Sequence, residues 1–335
     1  MTEDPGPEIL RFLCDAGLAA AGDAPRFTAL TGGVSSDIWL VETGGARLCV
    51  KRACARLRVA ADWRVPTGRS AFEARWFARV GSAAPGLVPR LLAFDEALGV
   101  LAMEYLAPQD HGLWKARLLA GAVDPAFAGS VGAALGRIHA AFAGDPRSPA
   151  DFASDAIFDE VRLRPYLVAT AEAHRDLAGP LGALRTRTAQ TRLTVVHGDV
   201  SPKNILVGPA GPVFLDAECA WFGDPAFDLA FCLNHLLLKA VPVPGQADAL
   251  HAGFAALAGA YLDRVDWERP DALEARAAAL LPALLLARID GKSPVEYITA
   301  QAERNLVRDF ARPRIRAPGD RLAQLADAWF EGRRT

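Results

Sequence analysis

The sequence predicts an α+β chain in two lobes: a small N-lobe (1–105) with an antiparallel sheet plus one helix, and a larger, mainly helical C-lobe (106–335). Three observations point there. Short apolar runs separated by turn residues crowd the segment from Phe27 to Tyr105. Leu106-Ala107-Pro108 then reads as a connector. Beyond it, apolar residues recur at helical spacing, and two helices open on Asp124-Pro125 and Asp224-Pro225, an N-cap acid followed by a proline at the first helical position.

In order, 7–20 reads as a short helix that caps the first lobe, with Ile9, Leu10, Leu13 and Leu18 near one face. Residues 27–30 and 38–42 read as strands. Between them lies a turn of small residues that includes Gly32, Gly33, Val34, Ser35 and Ser36, where backbone N–H groups could approach phosphate oxygens closely. Gly44-Gly45 makes the next turn, and 47–52 a third strand carrying Lys51. Such a lysine is commonly an exposed edge residue, but after a strand–glycine turn–strand unit it could also reach phosphates. The helical pattern at 70–77 supplies Glu73 to hold it, and the loop with Trp63, Arg64 and Arg69 would fold over nucleotide or substrate. Residues 87–94 and 100–105 read as two more strands around a turn at 95–99. In the C-lobe, Phe127, Val131, Leu135, Ile138 and Phe142 form a buried helical stripe that stops at Gly144-Asp145-Pro146. His139 on that helix reads as a packed histidine, not a ligand.

Composition limits the partners. The chain has 335 residues, 51% hydrophobic and 23% charged, with a formal net charge of −2, enough for sizeable cores in a soluble globular protein. A near-neutral balance gives no electrostatic footprint for nucleic acid or an anionic membrane, and no apolar run approaches the roughly 20 residues of a spanning helix. Five scattered cysteines read as free thiols in a reducing compartment. The acidic N-terminus lacks the order of a signal peptide, so the expected location is cytoplasmic.

The chemistry concentrates in Val195-Val196-His197-Gly198-Asp199-Val200-Ser201-Pro202-Lys203-Asn204-Ile205, followed by Val213-Phe214-Leu215-Asp216. Two strand-like runs lead into acids, with an asparagine between them. One carboxylate could take a proton from an attacking hydroxyl, while the other and the Asn oxygen could hold hard cations that neutralise phosphate charge. The Asp199-to-Asn204 spacing equals that of the protein-kinase catalytic loop, and Asp216 falls where the metal-binding Asp of that template falls. The plain alternative is a polar turn between strands. Asp228 interrupts an apolar run, so its carboxylate needs donors, and the backbone N–H groups of the loop around Asp199 are the candidates.

With these pieces in place, the chain from about Phe27 to Leu238 resembles the aminoglycoside phosphotransferase/choline kinase-like family of small-molecule kinases. The block from His197-Gly198-Asp199 to Asn204 and the block with Asp216, Gly223-Asp224-Pro225 and Asp228-Leu229-Ala230 carry the likeness. The resemblance implies a bilobal protein-kinase-like fold, ATP and Mg²⁺ as cofactors, and phosphorylation of a hydroxyl on a small-molecule metabolite or antibiotic. It implies Asp199 as catalytic base, Asn204 and Asp216 as Mg²⁺ ligands, and Lys51 with Glu73 positioning ATP phosphates. It also implies residues 32–36 as the phosphate-covering loop and Met103, Glu104, Tyr105 and Leu106 as the adenine-binding hinge. One departure is plain: Val200-Ser201-Pro202-Lys203 stands where the family often has Leu-His-Pro-Gly.

Two other readings compete with this one. A protein kinase would show Asp-Phe-Gly and Ala-Pro-Glu, but the chain has Asp216-Ala217-Glu218 and no Ala-Pro-Glu after it. A pseudokinase scaffold would be favoured by loss of Lys51, Asp199, Asn204 or Asp216, and all four are present. For the acceptor, Arg288, Asp290 and Lys292 break an apolar stretch at 280–287. They read either as a solvated helix terminus with an Arg288–Asp290 contact or as groups that bind a polar, zwitterionic or acidic acceptor.

Overall fold

The computed structural model describes residues 5–20, 22–30, 36–54 and 68–332. It divides into two compact units, Met1–Ala107 and Pro108–Thr335. The first contains α1 (Pro7–Asp15), β1 (Arg26–Ala29), β2 (Ser36–Thr43), β3 (Ala46–Ala53), α2 (Arg69–Ala83), β4 (Leu91–Asp95) and β5 (Val100–Glu104). The strands form an antiparallel sheet in the order β1-β2-β3-β5-β4. Gly44 and Gly45 close the β2–β3 hairpin at φ 54° and 78°, the left-handed conformation that a two-residue turn of this hand requires.

Side chains alternate across the sheet, so its two faces do different work. Trp39, Val41, Leu48 and Val50 bury one face against Ile9, Phe12 and Leu13 of α1. The first helix is therefore a core layer and not a surface cap. It stops at Asp15, short of residue 20, where the chain turns through Gly17 at φ 67°. The strand expected from 87 begins only at Leu91, because Pro89 has no N–H to give a ladder. Lys51 lies opposite Ile38 on β2 and Leu101 on β5, in the central strand and on the face away from α1.

The second unit runs β6 (Gly112–Leu113), α3 (Trp114–Leu119), α4 (Pro125–Phe142), α5 (Ser148–Asp151), α6 (Asp155–Phe158), a π-helical stretch (Asp159–Val168), α7 (Ala169–Ala173) and α8 (Ala178–Gln190). Then come β7 (Thr194–Val196), β8 (Ile205–Gly208), β9 (Gly211–Phe214) and β10 (Trp221–Gly223). The chain ends in α9 (Pro225–Lys239), α10 (Ala247–Leu262), α11 (Pro270–Asp290), α12 (Gln301–Arg316) and α13 (Leu322–Glu331). Both Asp-Pro helix starts form as caps: Asp124 Oδ1 accepts from Ala126 N at 2.9 Å and Asp224 Oδ1 from Ala226 N at 3.0 Å. Helix α9 is the axis of the unit, with every residue from Pro225 to Lys239 buried. Among the described residues no helix is long and apolar enough to cross a membrane.

Helices α4 and α10 meet through glycine. A Cβ added at Gly132 would lie 2.1 Å from the Leu257 carbonyl oxygen, so the backbones could not keep their approach. Gly132→Ala is expected to destabilise the protein by about 1–3 kcal/mol, the usual cost of overpacking. Denaturant melts would check this, and an unchanged midpoint would count against so close a contact.

Candidate active site

Strand β7 delivers the chain into a loop, 197–204, that is held by its own backbone. Asp228, fully buried on α9, accepts from His197 N at 2.6 Å and Gly198 N at 2.8 Å, one N–H to each carboxylate oxygen. These are the loop donors the sequence nominates for it. His139 Nε2 lies 3.2 Å from the same carboxylate, and its Nδ1 is 2.7 Å from the Tyr261 hydroxyl, so His139 is a packed bracing residue. Gly198 sits at φ 77°, and a Cβ there would come 2.6 Å from the Cys219 carbonyl oxygen. Conformation and space both require glycine.

His197 ties the loop to the next strand, and its two bonds settle its tautomer. The Leu215 carbonyl can only accept, so Nε2 carries the proton at 2.9 Å; Asp199 N donates at 3.1 Å, so Nδ1 is the acceptor. The ring is neutral in this arrangement, in keeping with a burial that pulls its pKa down despite the carboxylates of Asp228 and Asp199.

Asp199 is 5% exposed and has its two oxygens in different surroundings. Oδ2 meets Arg162 Nη2 at 2.9 Å, Lys203 Nζ at 3.0 Å and Asn204 Nδ2 at 2.9 Å. Among the described residues no hydrogen bond ends on Oδ1. Burial pushes the acid's pKa up, but the Arg162 and Lys203 cations outweigh it and hold the carboxyl below its ordinary range. Arg162 is the residue that sequence reasoning missed. It comes from the π-helical stretch, donates to the carbonyls of Gly198 and Val161, and lies 5.9 Å from the Phe231 ring centroid. Flanked by Val161 and Leu163 in a segment without clean periodicity, it carries no motif that could have announced it.

Asn204 follows in a 3₁₀ turn, Pro202–Asn204, closed by Asn204 N donating to Ser201 O at 2.8 Å. Its Nδ2 bonds the Asp199 carbonyl at 3.0 Å as well as the carboxylate, which commits the donors and leaves Oδ1 as a hard acceptor oxygen. Asp216 stands just past β9 at φ 64°, the one positive-φ residue other than glycine among the described residues. Such a backbone costs about 1–3 kcal/mol and persists where its neighbours fix it. Here Leu215 does so through both its groups: its N–H donates to Asn204 O at 2.8 Å and its carbonyl takes the His197 proton. Lys203 Nζ lies 4.0 Å from Asp216 Oδ2 and 3.0 Å from Asp199 Oδ2, a cation between the two acids.

In the first unit Lys51 Nζ meets Glu73 Oε1 at 2.8 Å, with both residues buried. The pair joins β3 to α2 and makes Lys51 an interior residue, not an edge one. Met103 and Glu104 end β5, where Glu104 Oε1 accepts from Arg90 N at 3.0 Å; Tyr105 lies under Arg47 at 5.3 Å, and Leu106 is half-buried. Ser36 opens β2 and is buried, whereas Gly32, Gly33, Val34 and Ser35, with Trp63 and Arg64, lie outside the described residues. Arg69 is fully buried and donates to the Cys54 carbonyl at 2.8 Å.

The structure separates the three charges at the end of α11. Arg288 turns inward, 9% exposed, and bonds the Tyr166 hydroxyl at 3.2 Å and Ser293 Oγ at 2.9 Å. Asp290 is engaged elsewhere: Arg308 of α12 bridges both its oxygens at 2.6 and 2.8 Å, and His174 Nε2 adds a bond at 2.8 Å. Those partners hold the acid below its ordinary pKa against partial burial. Lys292 is exposed.

The model of a family described as the phosphotransferase enzyme family matches residues 26–273. Methylthioribose kinase from Erwinia tasmaniensis is 26% identical over 271 residues, covering 68% of this chain and 67% of that protein, and the one from Citrobacter koseri is 26% identical over 275 residues, covering 68% and 67%. The chain thus spans about two thirds of the length of these relatives. In fold it is similar to an amicoumacin kinase in complex with AMP-PNP, Ca²⁺ and Ami, at TM-score 0.61 and 12% identity, covering 97% of this chain and 98% of that one. A Plasmodium vivax ethanolamine kinase follows at TM-score 0.54 and 10% identity, covering 99% and 89%. The fold is protein-kinase-like, an antiparallel sheet unit and a larger helical one, as the resemblance implies. The chain belongs to the phosphotransferase enzyme family, as an ATP-dependent kinase that acts on a hydroxyl group of a small molecule.

Proposed function

We propose that Asp199 is the general base of this kinase, that Asn204 and Asp216 hold Mg²⁺, and that the reaction takes place in the cytoplasm on a hydroxyl of a small-molecule metabolite or antibiotic, without a nucleic-acid or membrane partner. The observation that carries the reading is the asymmetry of Asp199. Three donors on Oδ2 keep the carboxylate ionised and oriented, and Oδ1 is left to accept the acceptor's hydroxyl proton as its oxygen attacks phosphorus. Positioning and charge neutralisation supply the rest of the catalysis. Lys51, held by Glu73, neutralises ATP phosphate oxygens. Residues 32–36 cover the phosphates, residues 103–106 seat the adenine, and Lys203 adds positive charge beside the base.

The donor set fits Mg²⁺. Asn204 Oδ1 and the Asp216 carboxylate are hard oxygen ligands, and no cluster of three or more His, Cys, Asp or Glu among the described residues could hold a metal by itself. Two protein oxygens suit an ion that shares its remaining positions with phosphates and water. When bound, it neutralises phosphate charge. Asp216→Ala should therefore weaken ATP binding strongly in Mg²⁺ and little in its absence, measured by calorimetry; equal weakening in both conditions would remove Asp216 from that role.

The relatives' name makes methylthioribose the first acceptor to try. A coupled ADP-release assay over a metabolite library tests the whole reading. ADP release that depends on both an acceptor and Asp199 is the expected result. ATP binding with no acceptor-dependent turnover across the library would favour the scaffold reading instead.

A further inference from the structure

Helix α9 carries a second group of side chains beyond those that hold the loop. Asp228 braces the loop and Phe231 lies against Arg162; His235 and Lys239 continue the same face at helical spacing, roughly 6 and 12 Å further along the axis than Phe231. His235 is 6% exposed and Lys239 is 1% exposed. Among the described residues neither side chain makes a hydrogen bond or an ion pair; His235 stacks edge-on to Phe231, and Lys239 Nζ lies 3.5 Å from the Tyr297 ring centroid. Arg288 of α11 and Lys115 of α3 add their charges here; burial first, then the charges of Arg288, Lys239, Lys203 and Lys115, hold the His235 pKa well below its ordinary value. The acid of this group, Glu296, is mostly exposed and is paired with Lys115. Among the described residues, Arg288 Nε and the Tyr297 hydroxyl are buried here without a hydrogen-bond partner.

Several basic side chains, of which His235, Lys239 and Arg288 are buried, thus converge, and the carboxylate among them is the peripheral Glu296. Burying like charges without counter-charge is costly, and an anion relieves that cost. Lys203 joins the group to the catalytic loop, since it contacts Asp199 and is also felt by His235. We propose that Lys115, His235, Lys239 and Arg288 bind an anionic group of the acceptor, so that the substrate is an alcohol already bearing a carboxylate or a phosphate. This rests on the kinase reading above and deepens it. It also separates this chain from its relatives' named substrate, because methylthioribose is uncharged.

Lys239 reports on binding. Burial and the neighbouring Lys115 charge, with a smaller contribution from Arg288, outweigh the opposing pull of Glu296 and bring its pKa down to about 7. At pH 8 most of it is neutral, so an anion that raises its pKa must draw a proton from solution. The test is calorimetry on the full chain at pH 8 in two buffers of different ionisation enthalpy, paired with the ADP-release assay. The probes are inorganic phosphate, the pairs gluconate and glucose and ribose 5-phosphate and ribose, and methylthioribose. The expected result is that an anionic probe binds with proton uptake, and that its acceptor KM is at least tenfold below that of its neutral twin; the two pairs separate carboxylate from phosphate. Lys239→Met, which keeps the aliphatic stem and removes a buried charge, should abolish the proton uptake and raise the anionic acceptor's KM at least tenfold at similar kcat. Lys115→Gln, at a partly exposed side chain, should raise it less. Equal use of charged and neutral twins, preference for methylthioribose, or no anion binding while ATP binds would each overturn the proposal. Failure of the kinase reading looks different: Lys239-dependent anion binding would persist with no Asp199-dependent ADP release from any acceptor, and the assignment of the anion to an acceptor would fall with it.

Discussion

Asp199→Asn is expected to lower kcat by a factor of roughly 10² to 10⁴, the usual contribution of a positioned general base, while ATP affinity changes little. The substitution is nearly isosteric, but it removes the negative charge that Arg162 and Lys203 contact and leaves an amide that cannot take the acceptor's proton. Steady-state kinetics with nucleotide titrations would separate the two effects. Near-wild-type kcat would remove Asp199 from the role. The pH profile offers a second check. The carboxyl is held below its ordinary range, so it stays ionised as pH falls through that range, and any acid limb that it imposes on kcat lies lower still. The same shift contributes stability above the ordinary carboxylate range, lost as pH falls through the lowered folded-state pKa. An acid limb near pH 6 would have to come from another group.

Asp228→Ala should cost stability, about 3–5 kcal/mol, because it strands buried donors. His197 N and Gly198 N would lose their acceptors at 2.6 and 2.8 Å, and His139 a partner at 3.2 Å, in a part of the chain closed to water. The loss falls on the backbone just before Asp199, so turnover should collapse along with the urea midpoint. A variant that melts like the parent would mean that the loop holds its shape without this carboxylate.

Much of the fold was legible because its signals are local. An acid followed by proline caps a helix wherever it occurs, and both such starts formed. Paired glycines between apolar runs closed a hairpin. The role of α1 was less legible: Ile9 and Leu13 showed a helical face, but only the sheet's own alternation says that the face is covered. At the site, the loop and the Asp228 contact could be read because a buried acid near an orphaned turn has few places to go. Arg162 could not, since it enters from a π-helical stretch where neither the 3.6 nor the 2.0 period applies. The trio at 288–292 shows the limit of local reading most clearly. Charges in an apolar run announce burial, and Arg288 is buried, but the arginine that takes up Asp290 lies 18 residues further on, on another helix.

Helix α9 fixes the catalytic loop from one end and presents His235 and Lys239 from the other. Changes at Asp228, His197 or Leu215 disturb bonds that connect the loop of Asp199 to the segment leading into Asp216, so substitutions there would succeed only in concert. Changes at positions 235 and 239 break none of those bonds, and on the proposed assignment a lineage could exchange one acceptor for another there by single steps. A helix that separates chemistry from recognition along its length would let substrate range drift while the phosphoryl-transfer machinery stays still.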